Sequence, residues 1–184
     1  MSFSDIDYRI LARYILDYDP GIPFLLMVGV FFLVGVSVLW ISFTEKGKRA
    51  KICQCSLAMF AGYLFLVLYT TIFRRETLGH TECQLSPLWS YHVLNYTILS
   101  QNVLNVILFI PLGFFGVLLF DKWQGMKTVG LGCGISMMIE LTQLLTRRGV
   151  CNIDDVIHNT AGCIIGSGLL LAMQGMYLRI KKQF

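Results

Sequence analysis

The chain has 184 residues, of which 55% are hydrophobic and only 14% charged. A soluble domain of this size carries about a quarter charged residues. With a mean hydropathy of +0.65, the composition excludes that class in favour of an integral membrane protein. The net charge of +4 comes from short basic clusters beside the apolar blocks and implies no nucleic-acid partner.

Residues 1–21 form an interfacial segment rather than a span. Tyr8, Leu11, Ile15 and Tyr18 share one helical face, while Asp5, Arg9, Arg13 and Asp17 follow at i,i+4 spacing. This pattern predicts a short helix lying on the membrane surface, ended by Asp19-Pro20-Gly21. Four aspartates against two arginines in the first 20 residues oppose a basic signal-peptide n-region, so no cleavable signal is expected.

Residues 22–178 then carry five apolar blocks near 22–43, 52–73, 102–120, 127–146 and 156–178, each long enough to cross a bilayer. The predicted fold class is all-α, a polytopic membrane helical bundle of about five transmembrane helices, followed by a basic tail at 179–184. With the N-terminus outside, nine basic residues fall inside (Lys46, Lys48, Arg49, Lys51, Lys122, Lys127, Arg179, Lys181, Lys182). Six fall outside (Arg9, Arg13, Arg74, Arg75, Arg147, Arg148). The positive-inside rule therefore predicts an outer N-terminus and a cytoplasmic C-terminus. Cys83 and Cys151 occupy two loops on the same predicted outer side. A disulfide is open to them, but two unpaired thiols are the expectation, because nothing in the sequence brings their Cα atoms together.

Polar residues gather at one membrane surface whichever way the chain is inserted. The second span ends at Arg74 and Arg75, and the third begins with Gln101, Asn102 and Asn105. The fourth closes with Glu140, Gln143, Arg147 and Arg148, and the fifth opens with Asp154, Asp155, His158 and Asn159. Alternate spans reverse direction, so all these ends meet on one side. Glu140, Gln143 and Arg147 share a helical face by their i,i+3,i+7 spacing; Asp155, Asn159, Gly162 and Gly166 share another. The two glycines predict close helix contact, and Pro111 with Gly113 predicts a kink in the third span.

Glu140 lies several residues inside its span, where a carboxylate costs about 2.5–3.5 kcal/mol. It must therefore pair with a cation, hold a proton or face water. Asn152 or Asp154 is expected to cap the last helix; capping explains one carboxylate and leaves Asp155 and Asn159 for another role. His158 alone is expected to be a solvated interfacial histidine, a weaker ligand candidate than the others. No tight HExxH or CxxC spacing supports a metal, and no cofactor is expected. The segment 74–101 carries Trp89, Tyr91, His92 and Tyr96, which predict an interfacial aromatic belt, with a lid over the cluster as the rival reading.

The blocks NVLNVILFIPLGFFGVLL, IELTQLLTRRG and NIDDVIHNTAG closely resemble the signature segments of the VanZ-like membrane proteins, over about residues 70–172. Asn105, Phe109, Pro111, Gly113, Glu140, Gln143, Arg148, Asp154, Asp155, Asn159, Gly162 and Gly166 stand at matching places, and Arg74 matches an arginine often found there. Where the family often has aspartate, this chain has Asn152. The resemblance implies a multi-pass protein of the bacterial cytoplasmic membrane. Its namesake is associated with resistance to the lipid-bearing glycopeptide teicoplanin, which binds cell-wall precursors.

Three functions compete. The first is a polar pocket for a membrane lipid or lipid-linked cell-wall precursor, with a glycopeptide antibiotic as a further candidate partner. There Arg74 and Arg148 hold phosphate, and Asn105, Gln143, Asp154, His158 and Asn159 complete the binding surface. The second is a transferase or hydrolase acting on an envelope lipid headgroup, with Glu140 or Asp155 as general base. The third is a structural ion-pair network serving a partner protein. A transporter ranks below these, since no inverted repeat is visible.

Overall fold

The computed structural model describes residues 7–17, 29, 35, 49–73, 75, 77–93, 95–120 and 122–183. Apart from Gly29 and Gly35, the first apolar block at 22–43 lies outside the described residues, as does Arg74. Helix α1 spans Tyr8–Asp17 and α2 spans Arg49–Leu68, continuing as a π-helical turn at Tyr69–Phe73. Strand β1 (Cys83–Gln84) and the short helix α3 (Trp89–Val93) precede α4 (Tyr96–Gly116), which ends in a 3-10 turn at Val117–Leu119. Helix α5 (Gln124–Thr146), strand β2 (Cys151–Asn152) and α6 (Ile153–Gln183) complete the chain.

Four stretches are long and apolar enough to cross a membrane: Ser56–Phe73, Tyr96–Leu119, Gln124–Thr146 and Ile153–Ile180. They coincide with the last four predicted blocks. Helix α4 starts a turn and a half before its apolar block, because Asn95 caps it by accepting from the Thr97 N–H at 2.9 Å. The all-α polytopic bundle expected from the sequence is the observed architecture.

Helix α4 is the centre of the bundle. Its residues from Pro111 to Val117 are all buried, and Phe109, Leu112, Phe114 and Phe115 join Tyr63, Val67 and Ile139 in the core. The helix continues through Pro111, which removes one backbone donor from the ladder. Beside that gap the buried Tyr63 hydroxyl donates to the Leu108 carbonyl at 2.8 Å, tying α2 to α4. Gly35, from the first block, is buried so close that an added Cβ would overlap the Phe115 ring.

The contact between α4 and α6 is backbone on backbone. A Cβ at Gly162 would meet the Val106 carbonyl, one at Gly166 the Ile110 carbonyl, and one at Gly113 the backbone of Cys163. Lipid supplies no hydrophobic drive to associate helices, so such close approach is a main source of cohesion. The outward faces carry Phe65, Phe73, Met137, Met138, Leu145 and Ile164, all exposed, as a lipid-facing surface requires.

Helix α1 packs beside the start of α4, where Tyr14 stacks on Tyr96 at 6.0 Å and the Asp7 N–H donates to the Tyr96 hydroxyl at 3.2 Å. It therefore sits at the surface where α4 begins. Replacing Gly166 by alanine forces α4 and α6 apart and is expected to destabilise the bundle by about 1–3 kcal/mol, read as a lower melting temperature in detergent.

Candidate functional site

The helix ends meet at one surface. Asn152 directly precedes α6, and its side-chain oxygen accepts from the Asp154 N–H at 3.1 Å, which makes it the N-cap. Its amide group donates to Asp155 Oδ1 at 3.0 Å, and its backbone N–H donates to Glu140 Oε2 at 2.7 Å. One residue thus caps α6, orients Asp155 and holds the carboxylate of α5. Trp89 Nε1 also donates to Asn152 Oδ1, at 2.9 Å.

Asp154 does not cap. It is fully buried and turns away from the helix to accept from the Leu88 N–H, the Ser90 N–H and the Ser90 hydroxyl. Asn102 of α4 donates to the same hydroxyl at 2.9 Å. Leu88 takes the left-handed conformation, φ 60°, as the chain turns its N–H groups toward this carboxylate.

Asp154 is one of a series of clamps. Leu78 N–H donates to the Arg147 carbonyl at 2.8 Å, and Cys151 N–H to the Glu82 carbonyl at 3.0 Å. Strands β1 and β2 pair in parallel with Cys83 opposite Cys151 and Gln84 opposite Asn152. The Tyr91 hydroxyl meets His158 Nε2 at 2.6 Å. Residues 78–91 thus run alongside 147–158 as one arm, closing over the start of α6. The aromatic residues at its end are docked on polar partners rather than forming a plain interfacial belt.

His158 is buried, not solvated as its sequence position suggested. Its Nδ1 faces the Asp154 carbonyl, an acceptor that requires a proton on that nitrogen. With that nitrogen as the donor, Nε2 is placed to accept from Tyr91. Burial, then the nearby Asp154 charge, raises the Tyr91 phenol above its ordinary range, so the hydroxyl stays protonated as that donor.

Deeper, Ser136, Glu140 and Gln143 line the buried face of α5, and Asp155 and Asn159 line that of α6. Asn159 Nδ2 donates to Ser136 Oγ at 2.8 Å. Gln143 Nε2 donates to the Thr71 carbonyl at 2.9 Å, in the last turn of α2, where carbonyls lack helical donors. No group among the described residues donates to Gln143 Oε1 or Asn159 Oδ1, both of them buried. Asp155 also has the Asn105 side chain as a partner.

Of the two arginines closing the second predicted span, Arg75 is described, and its guanidinium lies 3.9 Å from Asp155 Oδ2. The family resemblance singled out Arg74, which lies outside the described residues. Arg75 packs over Gly149, which has φ 101° and where an added Cβ would overlap the guanidinium. Arg148 is half-buried; its backbone N–H donates to the Gln143 carbonyl at 3.0 Å, and among the described residues no carboxylate pairs with its side chain. The structure therefore brings Asn105, Glu140, Gln143, Asp154, Asp155, His158 and Asn159 together, with Arg148 close by in sequence to Gln143. Sequence reasoning gave no site role to Asn152, Ser90 or Gly149. An asparagine one residue before a helix that opens Ile-Asp-Asp was a legible capping signal; the arm contacts had none.

The family model described as VanZ/LLP1 matches residues 60–174. The chain belongs to the VanZ/LLP1 family. The match takes in α4, α5 and α6 as far as Gln174, and with them every residue of the cluster, so the polar surface belongs to the family's shared region. No curated protein and no solved structure matches the chain. Among the described residues no group of three or more His, Cys, Asp or Glu side chains is arranged to hold a metal ion.

Asp154→Ala removes the acceptor for three donors of the arm, a loss of about 4.5 kcal/mol or more at roughly 1.5–3 kcal/mol per hydrogen bond to a charged group. The expected outcome is selective proteolysis within 78–91 while the spanning helices stay intact.

Proposed function

We propose that this VanZ/LLP1 protein binds the phosphate-bearing headgroup of a membrane lipid or lipid-linked cell-wall precursor at the extracytoplasmic surface of a bacterial membrane. One observation carries this reading: the cluster keeps polar capacity that its own contacts do not use. Gln143 Oε1 and Asn159 Oδ1 have no protein donor among the described residues, and a buried acceptor left so costs about 1–3 kcal/mol. At the rim, Arg75 keeps a third of its side chain exposed while only loosely engaged with Asp155. A purely structural network would be expected to close its own hydrogen bonds.

The roles follow from the groups. Guanidinium groups of Arg75 and Arg148 suit phosphate oxygens. Asp155, Gln143 and Asn159 supply acceptors for sugar hydroxyls or an amine, with Asn105 orienting Asp155. His158 and Asp154 act through the arm, because it engages the Asp154 carboxylate and His158 Nε2, while His158 Nδ1 is taken by the Asp154 carbonyl. The outer orientation rests on the charge bias of the loops.

A second reading, headgroup transfer or hydrolysis, draws on the proximity of two carboxylates. Glu140 and Asp155 lie within each other's electric field across the α5–α6 seam, an arrangement in which one can serve as general base. Ser90 bonds to Asp154 rather than to His158, so no Ser–His nucleophile is formed by these residues.

Purification in mild detergent followed by mass spectrometry of bound lipid tests the binding reading. The wild type is expected to retain a phosphate-bearing lipid, and Arg75→Ala and Asp155→Asn to lose it at unchanged melting temperature. Failure of both variants to accumulate in the membrane would instead favour a structural network, and turnover of the lipid lost in Glu140→Gln would favour the enzyme. A role in teicoplanin tolerance is part of the proposal. Expression is expected to raise the inhibitory concentration of teicoplanin, and Asp155→Asn to abolish the increase.

A further inference from the structure

A two-residue parallel ladder joins the arm to the segment leading into α6, and one of its two pairs is a pair of cysteines. Cys83 and Cys151 stand opposite each other in the parallel β1–β2 ladder. Paired residues of a parallel ladder lie about 4.8 Å apart, inside the roughly 4.4–6.8 Å Cα window of disulfides. Side chains at paired positions point to the same face of the ladder, and the Cys83 thiol is near enough to influence the ionisation of Cys151. Both are free thiols in this structure, Cys83 exposed and Cys151 half-buried.

We propose that Cys83 and Cys151 are a disulfide-forming pair that covalently ties the arm to the head of α6 in the presence of a disulfide oxidant. This is independent of the headgroup reading, since it needs neither the arginines nor the buried carboxylates.

The two thiols differ in a way that orders the reaction. Burial foremost, then the neighbouring Cys83 thiol and the charges of Glu140 and Asp155, push the Cys151 thiol up to about 12. Cys151 is therefore a poor first nucleophile, and exposed Cys83 is the better one. The Cys83 thiolate, having lost its proton to solvent, attacks an external disulfide, forming a mixed disulfide and expelling one thiolate. Cys151 then loses its proton and attacks the Cys83 sulfur, expelling the second thiolate. The pair gives up two electrons and two protons, and the external disulfide is reduced to two thiols.

Geometry also selects the partner. Cys163 is buried on α6 against Gly132 and Gly113 of the bundle, and Cys133 lies on α5, so neither competes for Cys83 without unfolding. Closing the bond would fix the register in which Leu88 and Ser90 reach Asp154.

The test uses the full-length protein in detergent, with oxidised glutathione as oxidant, alkylation of remaining thiols and tryptic mapping. Fragment 76–122 contains Cys83 alone, whereas 149–179 contains Cys151 and Cys163. The expected result is a cross-link between these fragments that dithiothreitol reverses, survives in Cys163→Ser and vanishes in Cys151→Ser. Amide hydrogen exchange across 78–91 should slow on oxidation of the wild type and stay unchanged in Cys151→Ser. Separate glutathione adducts on the two cysteines, full alkylation of both thiols, or a cross-link that persists in Cys151→Ser would overturn the proposal.

Discussion

A carboxylate without access to water at the head of a membrane helix must find its donors inside the protein, and the architecture of this end of the bundle depends on how Asp154 finds them. Its own helix offers none that Asn152 has not arranged, because the N-cap is taken. The donors come from a segment more than sixty residues earlier, two N–H groups and a hydroxyl at Leu88 and Ser90. That demand fixes where α3 lies, which places Trp89 on Asn152 and Tyr91 on His158. Partnered in this way, the buried charge costs far less than an isolated one. The arm and α6 are thus a single unit, and separating them would strand a charge and a histidine together.

The polar surface divides between groups whose bonds are closed within the protein and groups whose bonds are not. Asp154, His158 and Asn102 belong to the first set and hold the arm. Gln143, Asn159 and Arg75 belong to the second, and they lie beneath or beside it. The division has a mechanical basis. Backbone contact between α4 and α6 at Gly162 and Gly166 leaves no freedom to slide, so Asn105 and Asp155 meet at a fixed height. The π-helical turn that ends α2 presents the Thr71 carbonyl to Gln143 and, just beyond, delivers Arg75 to Asp155. Such turns are frequent where a helix must re-aim its last residues for a function.

Periodicity explains what was legible in the sequence. Apolar blocks located the last four spans, with ends within about six residues, and the 3.6-residue repeat placed Glu140 with Gln143, and Asp155 with Asn159, on shared buried faces. Alternation of direction then required those ends to share a surface. Partnerships across the fold were not legible, because spacing assigns a residue to a face without saying what faces it. Asn152 or Asp154 read as the cap; Asn152 is the one that caps, and the partners of Asp154 lie in a stretch with no helical period. His158 read as solvated, since nothing along the chain announces Tyr91. Nor does spacing announce the π turn at Tyr69–Phe73, after which Arg75 lies 3.9 Å from Asp155.

Asn152 shows how a single departure from the family pattern is decided by local charge. The resemblance sets aspartate against this position, while Glu140, Asp154 and Asp155 already place three carboxylates around it. Both aspartate and asparagine offer an oxygen to cap the Asp154 N–H and to accept from Trp89, so capping does not distinguish them. The distinction lies in the amide nitrogen, which donates to Asp155 Oδ1. An ionised aspartate has no donor to give there and would set a fourth carboxyl group beside Arg75, the nearby described cation. A chain carrying aspartate at this place would need a further cation or a bound proton to keep Asp155 where it stands. With asparagine, the neutral amide fixes one oxygen of Asp155 and leaves the other directed at Arg75, on the side where an anionic headgroup would compete for the guanidinium.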